Sequence, residues 1–297
     1  MKLSFYQGSE PNFGDELNLH VWDKILPTGF LNTDESELFL GIGSILTDAW
    51  PRDAVKYVVG SGYGGYNGLP DIREGDWNIV FVRGPRTAAA IGVGPEKAIC
   101  DSAIFLRDIH SAAQVETKVK ISFMPHFESI KRGFWEEACA LAGFNFIDPR
   151  WSVDRVLAEI SSSKVLICEA MHGAIVADIL RTPWIAVEPI HSENSAKWLD
   201  WGDSLGLDIR RHAMFPSSLM EAWIKVTKGR RYYEGRAKYL RNSKAFAFPN
   251  YFMSQFAAQR LAKVAQLDPQ LSSDRELSIA HERAQSALSS FVRSKGY

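Results

Sequence analysis

Six short segments of this chain gather residue types that handle anions and protons. They are Asn12-Phe13-Gly14-Asp15, Gly41-Ile42-Gly43-Ser44, Gly60-Ser61-Gly62-Tyr63-Gly64-Gly65, Arg83-Gly84-Pro85-Arg86, Pro125-His126 and Glu169-Ala170-Met171-His172-Gly173. Histidine is the side chain best suited to exchange protons near neutral pH. His172 has Glu169 just before it, and Gly173 removes bulk beside the imidazole. Arg83 and Arg86 flank Gly84-Pro85. A guanidinium presents a planar fork to carboxylate or phosphate, and a helix opening at Pro85 adds its positive end. The bland readings stand beside these: a structural histidine, a surface arginine pair, and Asp15 as a helix cap.

Each segment falls where a short apolar run gives way to a turn. Strands are expected at Leu3 to Gln7, Leu38 to Gly41, Val55 to Val59 and Ile79 to Val82, with a helix from Arg86 to Ile91. After a polar linker, Asp108 to Glu116, the pattern restarts. Strands are expected at Val119 to Met124, Val165 to Cys168 and Trp184 to Val187, with helices at Phe134 to Ala142, Val153 to Ile160 and His172 to Leu180. Strands alternating with helices predict parallel sheets, whose ligands bind beyond the C-terminal strand ends. The fold class is therefore α/β, with two Rossmann-like domains, 1–112 and 113–227, followed by a helical extension, 228–297. That extension is expected to hold helices near Tyr251 to Gln266 and Ser273 to Arg293 and to pack back on the first domain.

Gly60, Gly62 and Gly65 satisfy a dinucleotide-type spacing. The glycines run on into Tyr66-Asn67-Gly68-Leu69-Pro70, so no helix is expected to follow and hold a pyrophosphate. The segment reads as a loop. The net charge of -1 gives no whole-chain attraction to nucleic acid. Three widely spaced cysteines, Cys100, Cys139 and Cys168, suit neither a zinc site nor a disulfide framework and fit a cytoplasmic protein. No apolar run is long enough to cross a bilayer. Between Lys228 and Lys244 seven Lys/Arg residues face one acid, Glu234, with Tyr232, Tyr233 and Tyr239 among them. That segment is either a solvated helix face or a peripheral contact with anionic lipid at the inner membrane face.

The order of these landmarks resembles the polysaccharide pyruvyl transferase family, and within it the bacterial exopolysaccharide ketalase branch that modifies succinoglycan. The likeness rests on Asn12 to Asp15, Gly41 to Ser44, Val82-Arg83-Gly84-Pro85-Arg86-Thr87, Asp101-Ser102-Ala103, Pro125-His126 and Met171-His172-Gly173-Ala174-Ile175-Val176-Ala177-Asp178. It spans residues 3 to about 200. The resemblance implies a GT-B-like pair of domains facing across a cleft, phosphoenolpyruvate as co-substrate, and no cofactor or metal. Its acceptor would be a saccharide or a lipid-linked oligosaccharide. Many relatives carry a Ser-Arg pair where this chain has Glu169-Ala170, so the cationic contact is either missing or supplied by Lys197, Arg83 or Arg86.

The catalytic group implied is His172 with Glu169 and His126. Arg83, Arg86, His172 and Lys197 would hold the donor, and Asn12, Gly14, Asp15, Gly43, Ser44 and Gly62 would line the acceptor side. Two other readings compete: a nucleotide-sugar glycosyltransferase, with Glu188 or Glu193 near a ribose, and a glycan-binding relative without activity.

Overall fold

The computed structural model describes residues 1–65, 67–110, 120–190, 196–229 and 235–297. The chain is α/β, with two all-parallel sheets of the Rossmann-like kind. It divides into two compact units. The first comprises Met1–Ala113, Asn194–Ile209 and Ser272–Tyr297; the second comprises Gln114–Glu193 and Arg210–Leu271. Division by sequence blocks differs in membership, because the final helices are shared between the units. Of the expected linker, residues 111–116 lie outside the described residues. Among the described residues no helix is long and apolar enough to cross a membrane.

The first unit runs β1 (Lys2–Ser4), α1 (Phe13–Ile25), β2 (Glu37–Leu40), β3 (Val55–Val59), β4 (Trp77–Phe81), α2 (Pro85–Ile91) and the short α3 (Leu106–Ile109). Its sheet has the order β1-β2-β3-β4. Among the described residues no helix stands between β3 and β4, so the glycine-rich segment there is a loop, as its composition predicts. Leu38, Leu40, Val58 and Val82 form a core with Ala88 and Ile91 of α2.

The second unit opens with β5 (Lys120–Met124), α4 (Phe127–Arg132), α5 (Trp135–Ala142), β6 (Asn145–Phe146) and α6 (Val153–Ser161). It continues through β7 (Ser163–Cys168), α7 (Met171–Ile179) and β8 (Trp184–Glu188). Gly143 closes α5 at φ 71, the left-handed cap expected of a glycine there. The chain then contributes α8 (Ala196–Ser204) to the first unit and returns for β9 (Arg211–Ala213), α9 (Leu219–Thr227), α10 (Gly235–Asn242) and α11 (Ala247–Val264). The sheet order is β6-β5-β7-β8-β9. Phe123, Ile167, Ile185 and Val187 pack with Trp135, Ala257 and Leu261 in its core. Last comes α12 (Asp274–Ser294), which packs on β4 in the first unit. Its end is fixed by Lys295, whose Nζ lies 2.6 Å from both Glu37 Oε1 and the Tyr57 hydroxyl.

Arg83, expected from the sequence to grip a ligand, meets protein at all three nitrogens. It is fully buried. Nε donates to Asp200 Oδ2 at 3.0 Å, Nη1 to Ser44 Oγ at 2.7 Å and Nη2 to the Tyr63 carbonyl at 3.0 Å. Asp200, on α8, also accepts from the Thr87 amide at 2.9 Å and the Thr87 hydroxyl at 2.6 Å. The strand-end glycines make room for this cluster. A methyl group on Gly62 would lie 2.2 Å from Arg83 Cζ, and one on Gly84 2.0 Å from the Asp200 carbonyl oxygen. Three loops of the first unit are thus tied to α8 through one ion pair. Removing one partner of a buried pair strands the other charge out of water. Arg83→Met is therefore expected to lower stability by about 3–5 kcal/mol in denaturant unfolding; a loss under about 1 kcal/mol, the size of a surface pair, would contradict this.

Candidate active site

In the second unit the C-terminal ends of β5 and β7, with the loop between β9 and α9, bring together a cluster of buried charge. Glu169 follows the last residue of β7 and is only 2% exposed. Its amide donates to the Met124 carbonyl at 3.0 Å, which continues the parallel ladder one step past the strands. Its Oε2 accepts from the His126 amide at 2.9 Å. Burial pushes the Glu169 carboxyl up from its ordinary range, while the His126 amide, Ser129 and the charge of Arg132 oppose that. Its Oε1 is buried and makes no hydrogen bond among the described residues.

Arg132, at the end of α4, is itself buried, with Nε donating to the Glu128 carbonyl and Nη2 at 3.0 Å from Glu128 Oε2. Behind it sits a second buried carboxylate. Glu221 accepts from Trp135 Nε1 at 2.9 Å and from the amide and hydroxyl of Ser217 at 2.8 and 2.9 Å. Burial, and then the charge of Glu169, push its pKa up to about 7. Ser218 caps α9 by accepting from the Glu221 amide and donates its own hydroxyl to the Arg132 carbonyl at 2.6 Å. Arg241 Nη2 donates to the Gly133 carbonyl at 3.2 Å. Its guanidinium carbon lies 4.7 Å from the centre of the Phe134 ring.

His172 is the second residue of α7 and half-buried, three residues beyond Glu169. The helix start has Ala170 as its cap, with no side chain closing it. A helix N-terminus of that kind favours an anion. The bond from the His126 amide to the Glu169 carboxylate joins the two strand ends that the sequence pairs functionally. The His126 ring packs on Phe127 at 4.6 Å, with Nδ1 3.9 Å from Glu128 Oε2.

The remaining expected residues lie in the first unit. Arg86 is half-exposed and pairs with Asp203 at 2.7 Å. Lys197 stands half-buried on α8, three residues before Asp200. Asn12, not Asp15, occupies the cap position of α1, and its amide donates to Asp15 Oδ2 at 2.7 Å. Both line a cavity of about 270 Å³ with Tyr6, Glu10 and Glu16. Gly14 is buried in the same helical turn. Gly43, at φ 133, accepts from the Gly62 amide, and Ser44 serves Arg83.

Sequence reasoning missed Glu221, Arg132 and Asp200. Ser218-x-x-Glu221 carries the pattern of a capping box, a legible signal. Nothing marks Asp200, which reads as an ordinary polar position in an amphipathic helix. A carboxyl whose folded pKa is raised favours the folded state fully below its unfolded value and loses that advantage as pH rises through the folded value. Stability of the wild type relative to Glu221→Gln is thus expected to fall between pH 4.5 and about 7. The size is on the order of 3 kcal/mol, read from denaturant unfolding at each pH; a flat difference would mean that Glu221 stays ionised throughout.

A family model described as polysaccharide pyruvyl transferase matches residues 12–191. The succinoglycan biosynthesis protein ExoV of Rhizobium meliloti (strain 1021) is 42% identical over 227 residues, covering 76% of this chain and 71% of that protein. No solved structure matches the chain. The motif order, two parallel sheets with charged strand ends, and these two matches agree: the chain belongs to the polysaccharide pyruvyl transferase family and is an enzyme of pyruvyl transfer.

Proposed function

We propose that this enzyme moves the enolpyruvyl group of phosphoenolpyruvate onto a sugar of an exopolysaccharide or its lipid-linked precursor, as a pyruvate ketal. The observation that carries the reading is the β7–α7 turn, where His172 opens an uncapped helix beside the buried Glu169, inside the family match. The GT-B-like pairing of the two units belongs to this reading, as does the absence of a cofactor or metal from the chemistry.

Ketal formation begins with a proton delivered to the methylene carbon of phosphoenolpyruvate. The adjacent carbon becomes electron-poor, and a sugar hydroxyl attacks it, forming a C–O bond and releasing its proton. Phosphate then departs with the electrons of its C–O bond. A second hydroxyl closes the ring and releases another proton. One proton enters and two leave, so an acid that can be re-used as a base suits the sequence of steps. His172 is assigned that proton transfer, or the phosphate contact at the start of α7. Glu169 fixes the end of β5 through the His126 amide and is a positioning residue in this scheme, and His126 is the second acid/base candidate.

Arg86 is the donor-binding arginine that remains accessible, because its pair with Asp203 is solvent-exposed and weakly held. Arg83 supports the same end of β4 from within. Lys197 is a further cation for the donor, and Asn12, Asp15 and Ser44 are assigned to the acceptor side with Gly14, Gly43 and Gly62.

Phosphate release from phosphoenolpyruvate, measured against a panel of galactosides, glucosides and mannosides, tests the assignment. His172→Ala is expected to lower kcat about 10²–10⁴-fold while the unfolding midpoint stays near the wild type; full activity in that variant would remove His172 from the mechanism. Arg86→Ala is expected to raise the KM for phosphoenolpyruvate about tenfold or more, since a charge-assisted bond contributes roughly 1.5–3 kcal/mol. Its stability should change by less than about 1 kcal/mol. An unchanged KM would assign Arg86 to the surface pair alone.

A further inference from the structure

The solvent side of α11 is aromatic. Phe248, Phe252 and Phe256 recur every four residues and so form one stripe along the helix, with Tyr251 beside it. They are 72%, 41%, 52% and 43% exposed, respectively. The opposite face, with Asn250, Ser254, Ala257, Ala258, Leu261 and Val264, is buried within the unit. That buried face is made of small and aliphatic residues, whereas the large rings point outward, the reverse of an ordinary surface helix. The rings touch one another: Phe248 and Phe252 lie 4.8 Å apart and Tyr251 and Phe252 6.2 Å. The patch continues towards α10, because Asn250 Nδ2 donates to the Leu240 carbonyl at 2.8 Å and Phe246 packs edge-on against the exposed Tyr239 at 5.7 Å.

Charge on this stretch has one sign. From residue 235 to residue 267 the sequence holds Arg236, Lys238, Arg241, Lys244, Arg260 and Lys263 and no Asp or Glu, in a chain whose net charge is -1. Lys238, Lys244 and Lys263 are exposed. Exposed rings bordered by lysine, on helices that themselves carry no acid, match the headgroup layer of an anionic bilayer. Apolar rings sit at the acyl boundary there, while ammonium groups reach lipid phosphates. A second copy of the chain fits less well, because a twofold contact would set the basic side chains of α10 and α11 against themselves.

We propose that α10 and α11 form a docking surface for an anionic membrane, with Phe248, Phe252 and Phe256 entering the interface and Lys238 and Lys244 contacting headgroups. The basic segment expected from the sequence to meet lipid, 228–244, overlaps it only at α10, and its residues 230–234 lie outside the described ones. This inference does not rest on the catalytic reading, and its test uses no substrate.

Flotation of the full chain with vesicles of phosphatidylcholine, alone or mixed with an equal part of phosphatidylglycerol, gives the test. Binding to the anionic vesicles only, weakened by salt, is the result expected. Lys238→Gln and Lys244→Gln should each weaken it about fivefold, the equivalent of ~1 kcal/mol per charge. Phe252→Ser with Phe256→Ser should abolish it, with circular dichroism unchanged because both side chains face solvent. Equal binding to neutral vesicles, no binding, or indifference to the lysine variants would overturn the proposal. So would a concentration-dependent dimer that the phenylalanine variant disperses while wild-type chain stays off the vesicles.

Discussion

A carboxylate held out of water at the end of β7 constrains most of what surrounds it. Glu169 has little exposure, so its charge must be met by protein or given up to a proton. The His126 amide, Ser129 and Arg132 meet part of it, and the raised pKa shows that burial is the larger effect. To supply those partners α4 must start directly after β5, which places His126 at the strand tip. Arg132 is then fixed by Glu128 and by the Ser218 hydroxyl on its carbonyl, which brings the α9 cap and Glu221 into the same cluster. Two acidic groups and two arginines, Arg132 and Arg241, thus tie together the loops at the C-terminal ends of the second sheet's central strands. His172 lies in the first turn of the helix that starts from the end of β7.

The first unit solves the same problem with an ion pair. Arg83 and Asp200 are each nearly without exposure, and five hydrogen bonds satisfy them. Such a pair adds little net stability over an apolar packing but is costly to break, so it acts chiefly on geometry. It holds Ser44, Tyr63 and Thr87 at the ends of three strands in fixed register with α8. The strand-end glycines follow from the bulk of a guanidinium passing close to the backbone.

Much of this was legible in the sequence. The strands Val55–Val59 and Trp184–Glu188, the helix after Gly84-Pro85 and the αL glycine ending α5 follow from periodicity and turn chemistry, which are local. The β7–α7 turn was legible for the same reason. What escaped depends on contacts far apart in the chain. The Arg83–Asp200 pair spans 117 residues, and the Trp135–Glu221 bond spans 86. An arginine beside a glycine looks the same in sequence whether it faces a ligand or a distant aspartate. The assignment of α8 to the first unit was hidden likewise, since β5 to β8 of the second sheet separate it in sequence from that unit's strands.

These clusters tie the strand ends through buried polar contacts, and the family gives the chain a reaction. On the proposed function, these strand ends serve transfer of pyruvate as a ketal from phosphoenolpyruvate to a sugar. The most direct measurement is proton NMR of a saccharide acceptor incubated with enzyme and phosphoenolpyruvate, with phosphate followed in the same sample. A new ketal methyl signal on the acceptor, rising in step with phosphate, is the predicted result. Phosphate released without any ketal signal, or no consumption of phosphoenolpyruvate with any acceptor of the panel, would contradict it.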